Sequence, residues 1–85
     1  MPAQYGNPMG AAFVLIKTHP GRERDVYVSL DNLEAVLEVH VLYGEHDLIV
    51  RVGTDEPKEL AHILMNTFRT IDGIRDTETL ITVDY

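Results

Sequence analysis

Residues 11–18, AAFVLIKT, form an apolar run that ends in polar residues and then Pro20-Gly21. The run is too short for a good helix and is rich in β-branched and aromatic side chains, so it predicts a strand. It is apolar on both faces, which places it centrally in a sheet. From Gly21 the period changes. Val26, Leu30 and Leu33 recur at i, i+4 and i+7, with Tyr27 at the edge and Arg22–Asp25 crowding the first turn. That spacing predicts an amphipathic helix ending near Asp31-Asn32. Residues 35–43, AVLEVHVLY, then alternate: Val39, Val41 and Tyr43 point one way, and Glu38, His40 and Leu42 the other. After a break at Gly44-Glu45-His46-Asp47, LIVRVG (48–53) puts Leu48, Val50 and Val52 on one face and Ile49 and Arg51 on the other. The two strands are expected to pair as an antiparallel hairpin.

Thr54-Asp55-Glu56-Pro57 reads as a helix start. Thr54 or Asp55 can cap it, Pro57 suits its first turn, and Glu56 and Glu59 complement its dipole. Leu60, Ile63, Leu64, Phe68 and Ile71 form its apolar stripe, and Gly73 is expected to close it. Residues 74–85 contain the last strand, with Ile81 and Val83 on one side and Leu80 and Thr82 on the other. The order β-α-β-β-α-β predicts an α+β, ferredoxin-like fold. Right-handed crossovers put two helices on one face of a four-stranded antiparallel sheet. The bare face then carries Glu38, His40, Leu42, Ile49 and Arg51.

Eighty-five residues allow one domain, and a domain this small buries only about 60% of the surface its unfolded chain exposes. Cysteine is absent, so neither disulfides nor thiolate metal sites can compensate. A second copy packed on the bare face would, and a homodimer is expected. The N-terminus, MPAQYGNPMG, has neither the basic nor the apolar region of a signal peptide. Residues 1–10 read as a flexible lead-in and 11–85 as the domain. No apolar run approaches the roughly 20 residues of a membrane span, and the expected location is cytoplasmic. Seven basic and 14 acidic residues give a net charge of −7. Without a basic cluster, the chain is not expected to bind nucleic acid directly or to bind an anionic membrane.

Chemistry-bearing patterns are sparse. His19, His40, His46 and His62 show no helical metal-ligand spacing, Ser29 is the lone serine, and there is no P-loop or GxGxxG. No metal, cofactor or catalytic group is expected. The Gly44–Asp47 break stands out. A glycine turn can offer backbone N–H groups to a carboxylate, and a neighbouring acid attracts an ammonium. Together they suit the head group of an α-amino acid, with Tyr43 at the border.

The segments AFVLIKTHPGRERDVYVSL, VLEVHVLYGEHDLIVRVGTDEPKEL and IDGIRDTETLITV resemble the effector-binding RAM domain of the Lrp/AsnC transcriptional regulators. The likeness spans about residues 12–84. Its most specific parts are Tyr43-Gly44-x-x-Asp47 ahead of a strand and Thr77-x-Thr79 in the last strand. The resemblance implies a dimeric α/β barrel, two sheets face to face, assembling further into octameric rings with amino acids bound between dimers. It implies that Gly44 and Asp47 take the ligand's charged head, that Tyr43 borders it, and that Thr77 and Thr79 offer hydroxyls. The position before the Asp is often aromatic in the family and is His46 here. This bears on which ligand is bound and could make binding pH-sensitive. Full-length members carry a helix-turn-helix domain, and with ten residues before the first strand none is expected in this sequence. The chain therefore resembles the stand-alone members, regulatory sensors rather than enzymes, which co-assemble with themselves or with a helix-turn-helix-containing paralogue. The competing reading is a small dimeric α/β-barrel enzyme using His40, which would need a deep pocket between the sheet and its own helices.

Overall fold

The computed structural model describes residues 10–81. The expected lead-in, apart from Gly10, and the expected facing of Thr82 and Val83 lie outside the described residues. The elements run β1 (Gly10–Thr18), α1 (Glu23–Asp31), β2 (Val36–Val41), β3 (Leu48–Thr54), α2 (Pro57–His62) and β4 (Ile74–Ile81). The strands form one antiparallel sheet in the order β2-β3-β1-β4, so β1 is central as its doubly apolar run requires. This is the ferredoxin-like arrangement.

Cross-strand register sorts the side chains by face. Ala12, Val14 and Ile16 of β1 lie beside Leu48, Val50 and Val52 of β3, and all six are fully buried. They pack against Val26 and Leu30 of α1, Leu60 of α2 and Phe68 just beyond it. Each large side chain buried there contributes about 1.5–3 kcal/mol. The opposite, helix-free face shows Phe13, Leu15 and Lys17 beside Ile49 and Arg51 on one flank and Asp76, Glu78 and Leu80 on the other. His40 stands on this outer face opposite Ile49. It is exposed and faces Glu38 Oε1 at 3.2 Å. Among the described residues the space between sheet and helices is filled by the core, and His40 faces the other way, so they form no His40-lined pocket of the kind the enzyme reading requires.

Several local expectations are corrected. The β2 pattern carries a bulge: Val36 pairs with Val52 and Glu38 with Arg51, which leaves Leu37 as the extra residue. β2 also stops at Val41, so Leu42 and Tyr43 belong to a six-residue loop, 42–47, rather than to the strand. Neither Thr54 nor Asp55 caps α2. Glu56 occupies that position, Pro57 opens the helix, and the Thr54 hydroxyl donates to the Glu56 carbonyl at 2.7 Å. The single expected helix is a composite. α2 continues into a π-helical turn, Ile63–Thr67, and a 3-10 turn, Phe68–Thr70, after which Ile71 is extended.

Gly73 is not the residue that ends this helical run, which stops three residues earlier. It sits in the turn into β4 with φ +103°, and a Cβ there would lie 2.8 Å from Val26 Cγ2 and 3.1 Å from Arg22 Cβ. Glycine is required because α1 crosses the β4 turn at backbone distance. The Gly73 carbonyl accepts the His19 N–H at 2.8 Å.

Candidate functional site

The loop 42–47 joins the ends of β2 and β3 beside the end of β1. Leu42 N donates to the Asp47 carbonyl at 2.8 Å and closes the loop at its base. Asp47 N donates to the Ile16 carbonyl at 2.8 Å, which extends the β1–β3 ladder by one rung. The Asp47 carboxylate is occupied as well. Its Oδ2 accepts from Thr18 N at 2.8 Å and from Thr18 Oγ1 at 3.1 Å. Thr18 is buried, so the carboxylate supplies partners that water does not reach. Among the described residues no hydrogen bond to Oδ1 is found.

The loop leans over the outer face of the sheet. Glu45 Oε2 lies 3.8 Å from Lys17 Nζ, and His46 Nε2 lies 3.8 Å from Glu78 Oε1 on β4. The His46 side chain is only 19% exposed. Tyr43, by contrast, is fully exposed, and a Cβ added to Gly44 would meet nothing within 4 Å. Gly44 is also not in the left-handed region, where φ is positive at Gly21 and Gly73. Neither backbone conformation nor crowding within the chain demands a glycine at 44.

Thr77 and Thr79 lie on β4, opposite Ile16 and Val14, and both are exposed. Their partners are core residues, so the two hydroxyls stand on the helix side of the edge strand, whereas the loop leans over the other face. The chain thus gathers Tyr43, Gly44, His46 and Asp47 in one braced loop and places Thr77 and Thr79 apart from it across β1. Sequence reasoning missed Thr18, whose two hydrogen bonds hold the Asp47 carboxylate, and Glu78, which lies 3.8 Å from His46. No local pattern could have found them, because Thr18 is 29 residues from Asp47 and the contact arises from strand pairing.

On the outer face, Glu38 accepts from His40 Nε2 at 3.2 Å and from Arg51 Nε at 3.1 Å. The His40 hydrogen bond, then the Arg51 hydrogen bond and charge, hold its carboxyl below the usual carboxylate range. No group of three or more metal-ligating side chains occurs among the described residues. No helix among them is long and apolar enough to cross a membrane.

The described residues thus form a ferredoxin-like sheet with one open face and a braced loop at its end. The Lrp/AsnC ligand binding domain model matches residues 11–84, and the chain belongs to that family of transcriptional regulators. An uncharacterized HTH-type transcriptional regulator of Pyrococcus abyssi is 32% identical over 76 residues, 86% of this chain and 51% of that protein. The chain spans about half the length of the curated relatives it matches. The crystal structure of FFRP-DM1 is similar at 40% identity and a TM-score of 0.83, covering 88% of this chain and 100% of that one. A transcriptional regulator of Neisseria meningitidis, solved as a complex with L-Met, shares the fold at 19% identity and a TM-score of 0.81, over 99% of this chain and 56% of its own.

Proposed function

We propose that residues 11–85 form a ligand-binding unit that takes a small α-amino acid at the 42–47 loop and regulates transcription through assembly. The observation that carries this reading is Gly44. It is exposed, unstrained and uncrowded, so its lack of a side chain serves something that approaches from outside the chain. Asp47 Oδ1 is directed to the ligand's ammonium while Oδ2 keeps the loop on Thr18. Backbone N–H groups near Gly44 receive the carboxylate, and Tyr43 and His46 flank it. The Neisseria meningitidis relative in complex with L-Met supports this ligand class.

Thr77 and Thr79 stand apart from the loop of the same chain, so they complete a site formed with another copy. The apolar strip Phe13, Leu15, Ile49 and Leu80 on the helix-free face drives face-to-face pairing into a dimer. Dimers assemble further, toward an octamer, with ligands at the contacts between them. DNA contact falls to a helix-turn-helix-containing paralogue in the same assembly. The setting is cytoplasmic and the role is sensing rather than catalysis.

A thermal-shift panel of the twenty amino acids tests the proposal. A ligand at 100 times its Kd adds about 2.7 kcal/mol. Gly44→Val should leave the ligand-free transition in place and abolish the ligand-induced shift. No shift with any amino acid, in a protein shown by light scattering to be oligomeric, would overturn the reading.

A further inference from the structure

The loop 42–47 meets the sheet through two side-chain contacts of different kinds. The first holds whatever the state of the imidazole: Asp47 Oδ2 accepts from the N–H and the hydroxyl of Thr18 at the end of β1. The second crosses β1. Glu78 pairs with Leu15, whose other neighbour is Ile49, so β3 and β4 flank β1 on the outer face. His46, just ahead of β3, reaches over that strand and brings Nε2 to 3.8 Å from Glu78 Oε1.

That gap is too long for a hydrogen bond, so a neutral imidazole gains little from Glu78. An imidazolium at the same distance forms an ion pair. Of the side-chain types gathered there, imidazole is the one that ordinarily changes charge between about pH 5 and about pH 8. The other charged groups are Lys17 on β1, Arg51 on β3, Asp76 and Glu78 on β4, and Glu45 and Asp47 in the loop itself. Arg51 is turned to Glu38, Glu45 stands 3.8 Å from Lys17, and Asp47 is committed to Thr18. Among the described residues the contact between His46 and Glu78 is the one ion pair that either side chain enters. His46 is largely covered, while Glu78 keeps 60% exposure, which holds the pair within the modest range of surface ion pairs.

An imidazole in this place also has an ordinary reading, as a flat side chain that covers the end of the sheet. That reading gives Glu78 no role and the loop no dependence on pH.

We propose that His46 and Glu78 form a proton-operated latch on the loop. Uptake of a proton by His46 closes the ion pair across β1 and pins the loop over the outer face. Loss of the proton releases that contact while Asp47 stays on Thr18. The pair is therefore present below the ordinary imidazole range and is lost as pH rises through it. The consequence for ligand rests on the loop being the amino-acid site: a pinned loop presents its backbone N–H groups with less ordering left to be done on binding. Binding then tightens on mild acidification.

The test has a ligand-free arm and a ligand arm, both on the full chain. Amide NMR relaxation should show the order parameters of residues 43–46 rising from about pH 8 to about pH 6 in wild type. Glu78→Gln and His46→Gln should each abolish that rise, with circular dichroism unchanged. In the ligand arm, calorimetry with the tightest binder among the twenty amino acids should give an affinity about two- to fivefold higher at about pH 6 than at about pH 8, the range that an ion pair of this exposure supplies. Glu78→Gln should match wild type at the higher pH and lose the increase at the lower. Failure of all twenty to bind counts against the amino-acid reading alone, and the ligand-free arm then decides the latch. Order parameters that do not change with pH in wild type, or a rise that persists in Glu78→Gln, would overturn it. So would a pH effect on affinity of equal size in Glu78→Gln.

Discussion

Three glycines that look alike in sequence are under three different constraints. Gly73 has positive φ and stands against Val26 and Arg22. Gly21 has φ +81° and open space, and Gly44 has neither constraint. The left-handed conformation costs a residue with a Cβ about 1–2 kcal/mol, and forced overpacking adds about 1–3 kcal/mol. Urea unfolding should therefore rank Gly73→Ala well below Gly21→Ala in stability, with Gly44→Ala close to wild type. Equal losses at 73 and 21 would refute the close approach of α1 to the β4 turn. Asp47 shows the reverse problem, since it is both a candidate ligand contact and a brace. Asp47→Ala should cost about 1.5–3 kcal/mol without any ligand, because Thr18 loses two bonds to a charged group. Asp47 variants thus cannot separate binding from folding, and Gly44 variants can.

Among the elements, the helical run after β3 depends on tertiary packing. α2 proper is only six residues long, too short to persist alone, and Phe68 is the buried anchor beyond it. Phe68→Ala should cost about 3–5 kcal/mol in urea unfolding. On β2 and β3, the His40–Glu38–Arg51 cluster gives an acid-sensitive contribution. The Glu38 pKa is lowered in the folded chain, so the unfolded chain binds the proton first. The contribution is present above the ordinary carboxylate range and is lost as pH falls through the folded value. Urea midpoints measured from about pH 6 to about pH 3 should decline less steeply in Glu38→Gln than in wild type. Parallel declines would show that the cluster carries no linkage.

For the whole molecule, the governing feature is the uncovered sheet face. Phe13, Leu15 and Ile49 are half-buried in the single chain, and Leu80 remains 45% exposed. Natural monomers seldom leave such a contiguous apolar strip in water. Leu15→Asp should dissociate the proposed face-to-face dimer, as read by light scattering, with little change in the circular dichroism of the chain. An unaltered oligomer would move the interface elsewhere.

The sequence alone determined the order of elements, the central place of β1, and the outer-face positions of Glu38, His40, Ile49 and Arg51, while Leu42, expected there too, belongs to the loop. Those follow from hydrophobic periods of two and 3.6, which are local properties of the chain. It also singled out the Tyr43–Asp47 loop and, by resemblance, the family. The tertiary structure alone decided the bulge at Leu37, the bulge at Arg75, where Lys17 pairs with Asp76 but Thr18 with Ile74, the π turn, the true reason for Gly73 and the bond from Asp47 to Thr18. Each depends on where distant segments meet. A bulge is a mismatch between two strands, Gly73 is constrained by a helix some fifty residues earlier, and a carboxylate finds its partner only when the sheet aligns them.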